Sequence, residues 1–531
     1  MEKAYLAIVL HAHLPYVRHP EHVDSLEENW LYEAITDTYI PLLFVLEGCV
    51  KDGIDFRLTL SLTPTLASML ADPLLQSRYL ERLEKMIELA QKEIKRTKSQ
   101  PEFNALALMY NTRLGQVHEA FVNRYEQNLL QAFRSLQERG KVEIMACAAT
   151  HAYLPLLSVN RSAVRGQIGI GVEHYREVFG KSPEGFWLPE CGYYPGVDEL
   201  LDEYGIRYTV LETHGITRGN PRPEFGVNAP VFCSSGVAAF GRDPKSSAQV
   251  WSSEIGYPGD YDYREFYRDI AYDLDLGYVA PYIHRDGIRV DTGFKYFRIT
   301  GKGNHKDTYI PEQAEKKAEL HAEDFISKRF KQVEYLGSIM DRKPIIVAPF
   351  DAELFGHWWH EGPLWLDHVI RKLHSAQAGI RLATLSEYLE QYPINQVSTP
   401  SYSSWGHHGF NETWLNGKNE WIYPCLHKSA LQMERLANNY PQAKGLTLRA
   451  LKQAARELLL AQSSDWAFMI NAGTMAEYAT ERTKRHISRL ARLAQDVESD
   501  SIDQVWLSKL ETRDNIFPGI DYRFFCGSSR L

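Results

Sequence analysis

Trp187-Leu188-Pro189-Glu190-Cys191-Gly192-Tyr193-Tyr194-Pro195-Gly196 sets one carboxylate among aromatic rings, prolines and glycines. The apolar run before it, Gly185-Phe186-Trp187-Leu188, reads as a short buried strand. The Cys-Gly and Pro-Gly pairs read as a sharp exit from that strand. A carboxylate at a strand end, walled by rings, suits a nucleophile or a general acid. A glutamate salt-bridged in a turn fits this stretch equally well. The other strand ends decide between the two.

Working outward, Tyr5–Leu10 is a continuous apolar run, typical of a strand buried on both faces, and it leads into His11-Ala12-His13-Leu14-Pro15-Tyr16. Ser25-Leu26-Glu27-Glu28 has capping-box form and opens a helix through Trp30, Leu31 and Ile35, with Pro41 expected to break or kink it. Phe56–Leu62 and Val142–Ala148 are the next strands, the second ending at Thr150-His151. Between them, residues 73–140 are charged and helical in period, an expected helical insertion. Tyr208–Leu211, Pro230–Cys233, Val237–Phe240, Ile345–Phe350 and Arg381–Leu385 complete the strand set.

Strands alternating with helices indicate a parallel sheet. Their number, near seven, and the 531-residue length favour an α/β fold closed as a TIM-like barrel. In such barrels chemistry gathers at the C-terminal strand ends. His11, His151, Glu190 and Asp351 all stand at or just after one. Residues 220–311 hold the irregular, aromatic-rich stretch, and loops of that length in compact domains are usually functional. The pattern assigns the barrel to residues 1–398 and a helical C-terminal unit to 399–531.

The formal net charge of −9 argues against nucleic-acid and anionic-membrane partners. Six cysteines without a Cys-x-x-Cys pair read as free thiols in a reducing compartment. The first residues lack signal-peptide architecture, and no apolar run approaches the roughly 18 residues of a membrane span. The expected location is the cytoplasm.

The second carboxylate centre is Ala348-Pro349-Phe350-Asp351-Ala352-Glu353-Leu354-Phe355-Gly356-His357-Trp358-Trp359-His360. Asp351 and Glu353 would share a face if the strand continued. Two carboxylates from different strand ends are what acid–base glycoside chemistry requires. Alternatively Asp351 caps a helix. His11, His13, His151, His357 and His360 could instead ligate a metal, as in a polysaccharide deacetylase on a related barrel. No His-Glu-x-x-His motif accompanies them, and histidines lining a sugar site explain them equally well. Trp405 and Trp414, in a Gly-rich loop, read as rings for sugar faces or as loop-to-barrel packing. Asp465 is a site residue or an N-cap, and Arg264 a substrate clamp or a partner of a neighbouring acid.

Together these stretches resemble glycoside hydrolase family 57, and within it the 1,4-α-glucan branching group. The likeness runs through His11–Tyr16, His151–Pro155, Trp187–Gly196, Ala348–Pro363 and Ser463–Trp466 in the family's order, and through Gly256–Asp269 and Trp405–Trp414. It implies an incomplete (β/α)7 barrel with a helical C-terminal domain that closes over the cleft. It implies a retaining reaction on an α-glucan polymer such as amylose, glycogen or starch, without cofactor or metal. Glu190 falls on the family's nucleophile and Asp351 on its acid/base. The implied substrate-binding set is His11, His13, His151, Trp30, Arg264, Tyr272, Trp358, Trp405, Trp414 and Asp465. The expected state is a monomer or a weak homo-oligomer. One departure stands out: Asn228 occupies the position where branching relatives carry a tyrosine on a loop over the cleft. Tyr272 likewise stands for a tryptophan. Both raise an α-amylase-like hydrolase or a 4-α-glucanotransferase as the alternative.

Overall fold

The computed structural model describes residues 2–252, 256–301, 303–375 and 379–527. One sheet contains β1 (Ala4–Ala12), β2 (Leu58–Leu62), β3 (Val142–Cys147), β4 (Gly185–Trp187), β5 (Tyr208–Leu211), β6 (Val231–Phe232), β7 (Ala238–Gly241), β8 (Ile345–Asp351) and β9 (Ile380–Leu382). Seven strands run parallel in the order β7-β5-β4-β3-β2-β1-β8. β6 adds antiparallel to β7, and β9 pairs with Ala4–Leu6 of β1. The ring closes through a bridge between Arg242 and Val347, where the Asp243 N–H reaches the Val347 carbonyl at 2.8 Å. This is an incomplete (β/α)7 barrel with a thin seam between β7 and β8.

Strand alternation fixes what points inward. Tyr5, Ala7 and Val9 of β1 pack inside the barrel with Cys147, Trp187, Val210, Phe240, Ile345 and Val347. His11 is next in the β1 series, and Asp351 ends the β8 series. Parallel pairing aligns Ser61 of β2, His11 of β1 and Asp351 of β8 in one row at the C-terminal rim. The alternate residues Leu6, Ile8 and Leu10 face the surrounding helices.

Between β2 and β3 the chain forms helices Pro73–Arg96, Pro101–Glu119 and Leu129–Glu138, the first capped by the Asp72 carboxylate. Helices Ile422–Asn439, Gly445–Ala461, Ser464–Ala472, Ala476–Glu498 and Gln504–Arg513 follow the barrel. They are tied to it by polar bonds: Arg482 donates to the Tyr16 carbonyl at 3.0 Å and Arg18 to the Thr512 carbonyl at 2.6 Å. Among the described residues, no helix is long and apolar enough to cross a membrane.

Two local expectations are corrected. Ser25 does not cap a helix; its hydroxyl bonds the Glu27 carboxylate, and the helix starts at Glu28. Glu28, the box's fourth residue, instead accepts from the His19 N–H, Tyr32 and Arg78. Nor does Pro41 break the following segment. A π-helical turn, Ile35–Tyr39, lies immediately before it, and the chain stays helical into Ile40–Lys51.

Candidate active site

β4 ends at Trp187, and the chain turns through the short 3-10 segment Pro189–Cys191. Glu190 sits there at φ 62°, in the left-handed region that a non-glycine residue enters at a cost of about 1–3 kcal/mol. His151, beyond the end of β3, is also left-handed at φ 55°. Two strained residues at neighbouring strand ends aim their side chains at one point: His151 Nδ1 lies 3.8 Å from Glu190 Oε1.

Both Glu190 oxygens receive donors from beyond the barrel. The Trp405 indole N–H donates to Oε2 at 2.8 Å, and the Ser464 hydroxyl donates to Oε1 at 2.9 Å. The segments carrying them are laced to the strand ends. Tyr193 bridges Ser403, and Ala152 bridges Ser463. Ser464 was not singled out by sequence, since a serine at a helix start reads as a cap.

A directed chain of hydrogen bonds runs behind Glu190. Ser464 Oγ lies 3.0 Å from His151 Nδ1, His151 Nε2 lies 2.9 Å from His11 Nε2, and His11 Nδ1 lies 3.1 Å from Ser61 Oγ. With Ser464 donating to Glu190, the consistent assignment is Ser61 to His11, His11 to His151, His151 to Ser464. Each histidine is then neutral with one N–H. Burial, followed by the neighbouring imidazoles, lowers His11 and His151 well below the usual range, which keeps them so. His11 stacks on Trp187 at 4.6 Å and His13 on His151 at 3.8 Å.

His13 has a different partner. Its Nε2 lies 3.1 Å from both Asp465 oxygens, and its Nδ1 lies 3.0 Å from Thr63 Oγ1. Burial pulls His13 down, but Asp465 overrides it and the net shift is upward. Burial pushes Asp465 up, but His13 outweighs it and brings the carboxyl down to about 2. Asp465 is therefore no N-cap; Ser463 holds that position.

The Asp351 carboxyl group, at the tip of β8, has no hydrogen-bond partner among the described residues and caps nothing. Burial, then the charges of Glu353 and Glu190, raises it well above the carboxylate range. Burial also raises Glu190, opposed by its Trp405 and Ser464 donors. The strand does not continue to Glu353. It turns into the 3-10 segment Ala352–Leu354.

The other expected residues divide. Trp358 is 52% exposed and stacks on Phe266 at 4.5 Å, an open ring face. Trp414 is 1% exposed and stacks on Tyr153 at 4.3 Å, so it packs the loop onto the barrel and is closed to a ligand. Arg264 is buried, with its guanidinium 3.4 Å from the Tyr110 hydroxyl on helix Pro101–Glu119. Tyr272 is exposed, and its hydroxyl meets the Arg289 carbonyl at 3.4 Å. Trp30 lies edge-on to Tyr478 at 6.2 Å. Trp251, from the aromatic-rich 220–311 stretch, lies 6.3 Å from Trp405 and is 36% exposed.

Asn228 does not stand over the cleft. Its carbonyl accepts from the Ile345 N–H at 2.9 Å, at the start of β8. That is six residues, about 20 Å of strand, below Asp351. The neighbouring Val227 packs against Gly241, so the segment fills the seam below the β7–β8 bridge.

The five-histidine metal set does not assemble. His360 sits against Arg113 at 2.7 Å, and His357 faces Glu33 and Asp37. His13, His151 and Asp465 do bring one donor atom each within 4.8 Å of one another. Their hydrogen bonds account for that approach, and the charges of His13 and Asp465 balance.

A barrel whose strand ends present two partly buried acids, one held by donors and one left free, defines a glycoside-processing site. Residues 7–400 match the family model of glycosyl hydrolase family 57, and residues 425–525 match that of the 1,4-alpha-glucan branching enzyme C-terminal region. The chain belongs to glycosyl hydrolase family 57. A 1,4-alpha-glucan branching enzyme of Thermococcus kodakarensis is 34% identical over 551 residues, 97% of this chain and 77% of that protein. The crystal structure of alpha-amylase AmyC from Thermotoga maritima has a TM-score of 0.93 at 43% identity, covering 99% of this chain and 100% of the other. That of a branching enzyme from Pyrococcus horikoshii has 0.89 at 33%, covering 100% and 98%.

Proposed function

We propose that the chain is a retaining α-1,4-glucan-active enzyme of the branching type, cleaving an α-1,4 link and transferring the released segment to a glucan 6-hydroxyl. The observation that carries this reading is the unequal setting of two partly buried acids. Glu190 receives a hydrogen bond on each oxygen, which favours its ionised form, whereas Asp351 receives none and holds its proton more tightly.

In the first step Glu190 attacks the anomeric carbon as the glycosidic C–O bond breaks. Asp351 gives its proton to the leaving oxygen. In the second step Asp351 takes the proton of the acceptor hydroxyl, which displaces Glu190. Trp405, Trp251 and the His13–Asp465 pair surround this point and limit access of water. Trp358 offers a ring face for a glucan chain. The substrate is an amylose-, glycogen- or starch-like polymer. The reading places the enzyme in the cytoplasm, in glycogen or starch metabolism, as a monomer or weak homo-oligomer without cofactor. It divides the chain near residue 398.

The C-terminal match and the named branching enzymes support transfer. The 43% identity to a protein named an alpha-amylase favours a second reading, hydrolysis on the same site. Both use one intermediate and differ in its acceptor. Incubation with amylose separates them, with new α-1,6 linkages counted by NMR and new reducing ends counted in parallel. Branching predicts α-1,6 signals in excess of new ends. New ends without α-1,6 signals select hydrolysis and overturn the first reading.

A further inference from the structure

Glu353 brings a third acid to this rim. It is 8% exposed, and Oε1 accepts two hydrogen bonds, from the Tyr39 hydroxyl at 2.5 Å and from the His13 backbone N–H at 3.1 Å. Oε2 has no partner, and no Lys, Arg or His side chain pairs with this carboxylate among the described residues. Tyr39 ends the π-helical turn Ile35–Tyr39. Such turns insert a residue and re-aim side chains, often at functional sites. The turn is docked on the loop after β8 backbone to backbone. A Cβ at Gly356 would lie 1.7 Å from the Asp37 carbonyl oxygen, and Gly356 has φ 113°. The sequence thus commits a π turn and a glycine to fixing Tyr39 against Glu353.

The charges around Glu353 come from each element packed on it. From the loop after β1, His13 is matched by Asp465. From the π turn, Asp37 is matched by Arg113 at 3.2 Å. From β8, Asp351 stands two residues away. Beyond Asp351 lie Glu190 and Arg242, and Arg242 is matched by Glu212 at 2.9 Å. Partly buried Asp351 and buried Glu353 therefore share a rim with no cation of their own among the described residues.

We propose that Glu353 is a positioning residue for proton transfer: its charge, pinned by Tyr39 and the His13 amide, keeps the proton on Asp351. This rests on Asp351 being the acid. Glu353 forms no bond and gives no proton. Beside a fixed negative charge, Asp351 holds its proton until the leaving oxygen takes it, and then becomes a stronger base toward the acceptor hydroxyl. Burial raises Glu353 to about 7, with the Tyr39 hydrogen bond opposing it, and burial followed by the Glu353 charge raises Asp351.

The test uses the full chain, with kcat/KM measured against pH on a soluble aryl maltooligoside for wild type, E353Q and Y39F. Glutamine keeps an oxygen for both donors and removes the charge. The alkaline limb of E353Q is expected to fall by about one pH unit or more, the effect of losing a close like charge. Y39F removes one donor to ionised Glu353 but leaves the carboxylate in place, so its limb falls by less than that of E353Q. An E353Q limb that coincides with wild type, or a Y39F limb that falls as far, overturns the proposal. Infrared difference spectra of wild type against D351N give the same test if E353Q fails to fold. Loss of a protonated-carboxyl band at neutral pH in D351N supports it, and persistence of the band overturns it. Should D351N retain full activity, the reading of Asp351 as the acid fails instead.

Discussion

Trp405 grips Glu190 twice. Its indole N–H reaches Oε2 at 2.8 Å, and its backbone N–H reaches the Glu190 carbonyl at 2.9 Å. A residue 215 positions away thus fixes both the backbone and the carboxylate of the strand-end acid. The loop after the barrel, not the barrel alone, completes the site.

Removing a donor to Glu190 has a predictable cost. A hydrogen bond to a charged acceptor is worth about 1.5–3 kcal/mol, or roughly 10–100-fold in rate. W405F and S464A are each expected to lower kcat/KM by that range. Both donors favour the ionised carboxylate, so their loss raises the Glu190 pKa and moves the acid limb of kcat/KM to higher pH. A rate loss with an unmoved acid limb would mean that these donors do not act on Glu190.

The His13–Asp465 pair predicts a pH window of stability. His13 is raised above its unfolded value of about 6.5, so its contribution is complete below that pH and is lost as pH rises through the folded value. Asp465 is lowered to about 2, so its contribution is complete above the unfolded value of about 3.9 and is lost as pH falls toward 2. D465N should therefore destabilise by about 1–3 kcal/mol between roughly pH 4 and 6.5, and by less in alkali. Thermal melting of both proteins from pH 4.5 to 9 checks this, and a difference constant with pH would contradict it.

Asn228 is remote from the cleft, so N228Y is expected to leave the ratio of transfer to hydrolysis unchanged. A tyrosine in the β7–β8 seam should instead lower Tm, because the Asn228 backbone is bonded to Phe225 and Ile345. A changed product ratio at unchanged Tm would return the segment to the active site.

The barrel was legible because strands buried on both faces read as unbroken apolar runs, and each of them is a strand in the structure. Period-2 alternation then carries the inward series of β1 and β8 to His11 and Asp351. Other features have no such signature. The left-handed backbone at His151 and Glu190 follows from tertiary contacts, since neither residue is a glycine. Ser464 gains its role from a bridge between Ala152 and Ser463 that no local pattern encodes. Asn228 was misplaced because a Pro- and Gly-containing segment looks the same at either end of a barrel. Trp414 was read as one of two equivalent rings, yet burial against Tyr153 separates it from Trp405.

The central claim is that Glu190 carries the glycosyl group between the two steps. Treatment with a 5-fluoro-α-glucosyl fluoride, followed by proteolysis and mass spectrometry, tests it most directly. The account predicts release of fluoride and one added 5-fluoroglucosyl mass on the peptide containing Glu190, absent in E190Q. A label on any other carboxylate, or inactivation without a covalent adduct, would contradict it.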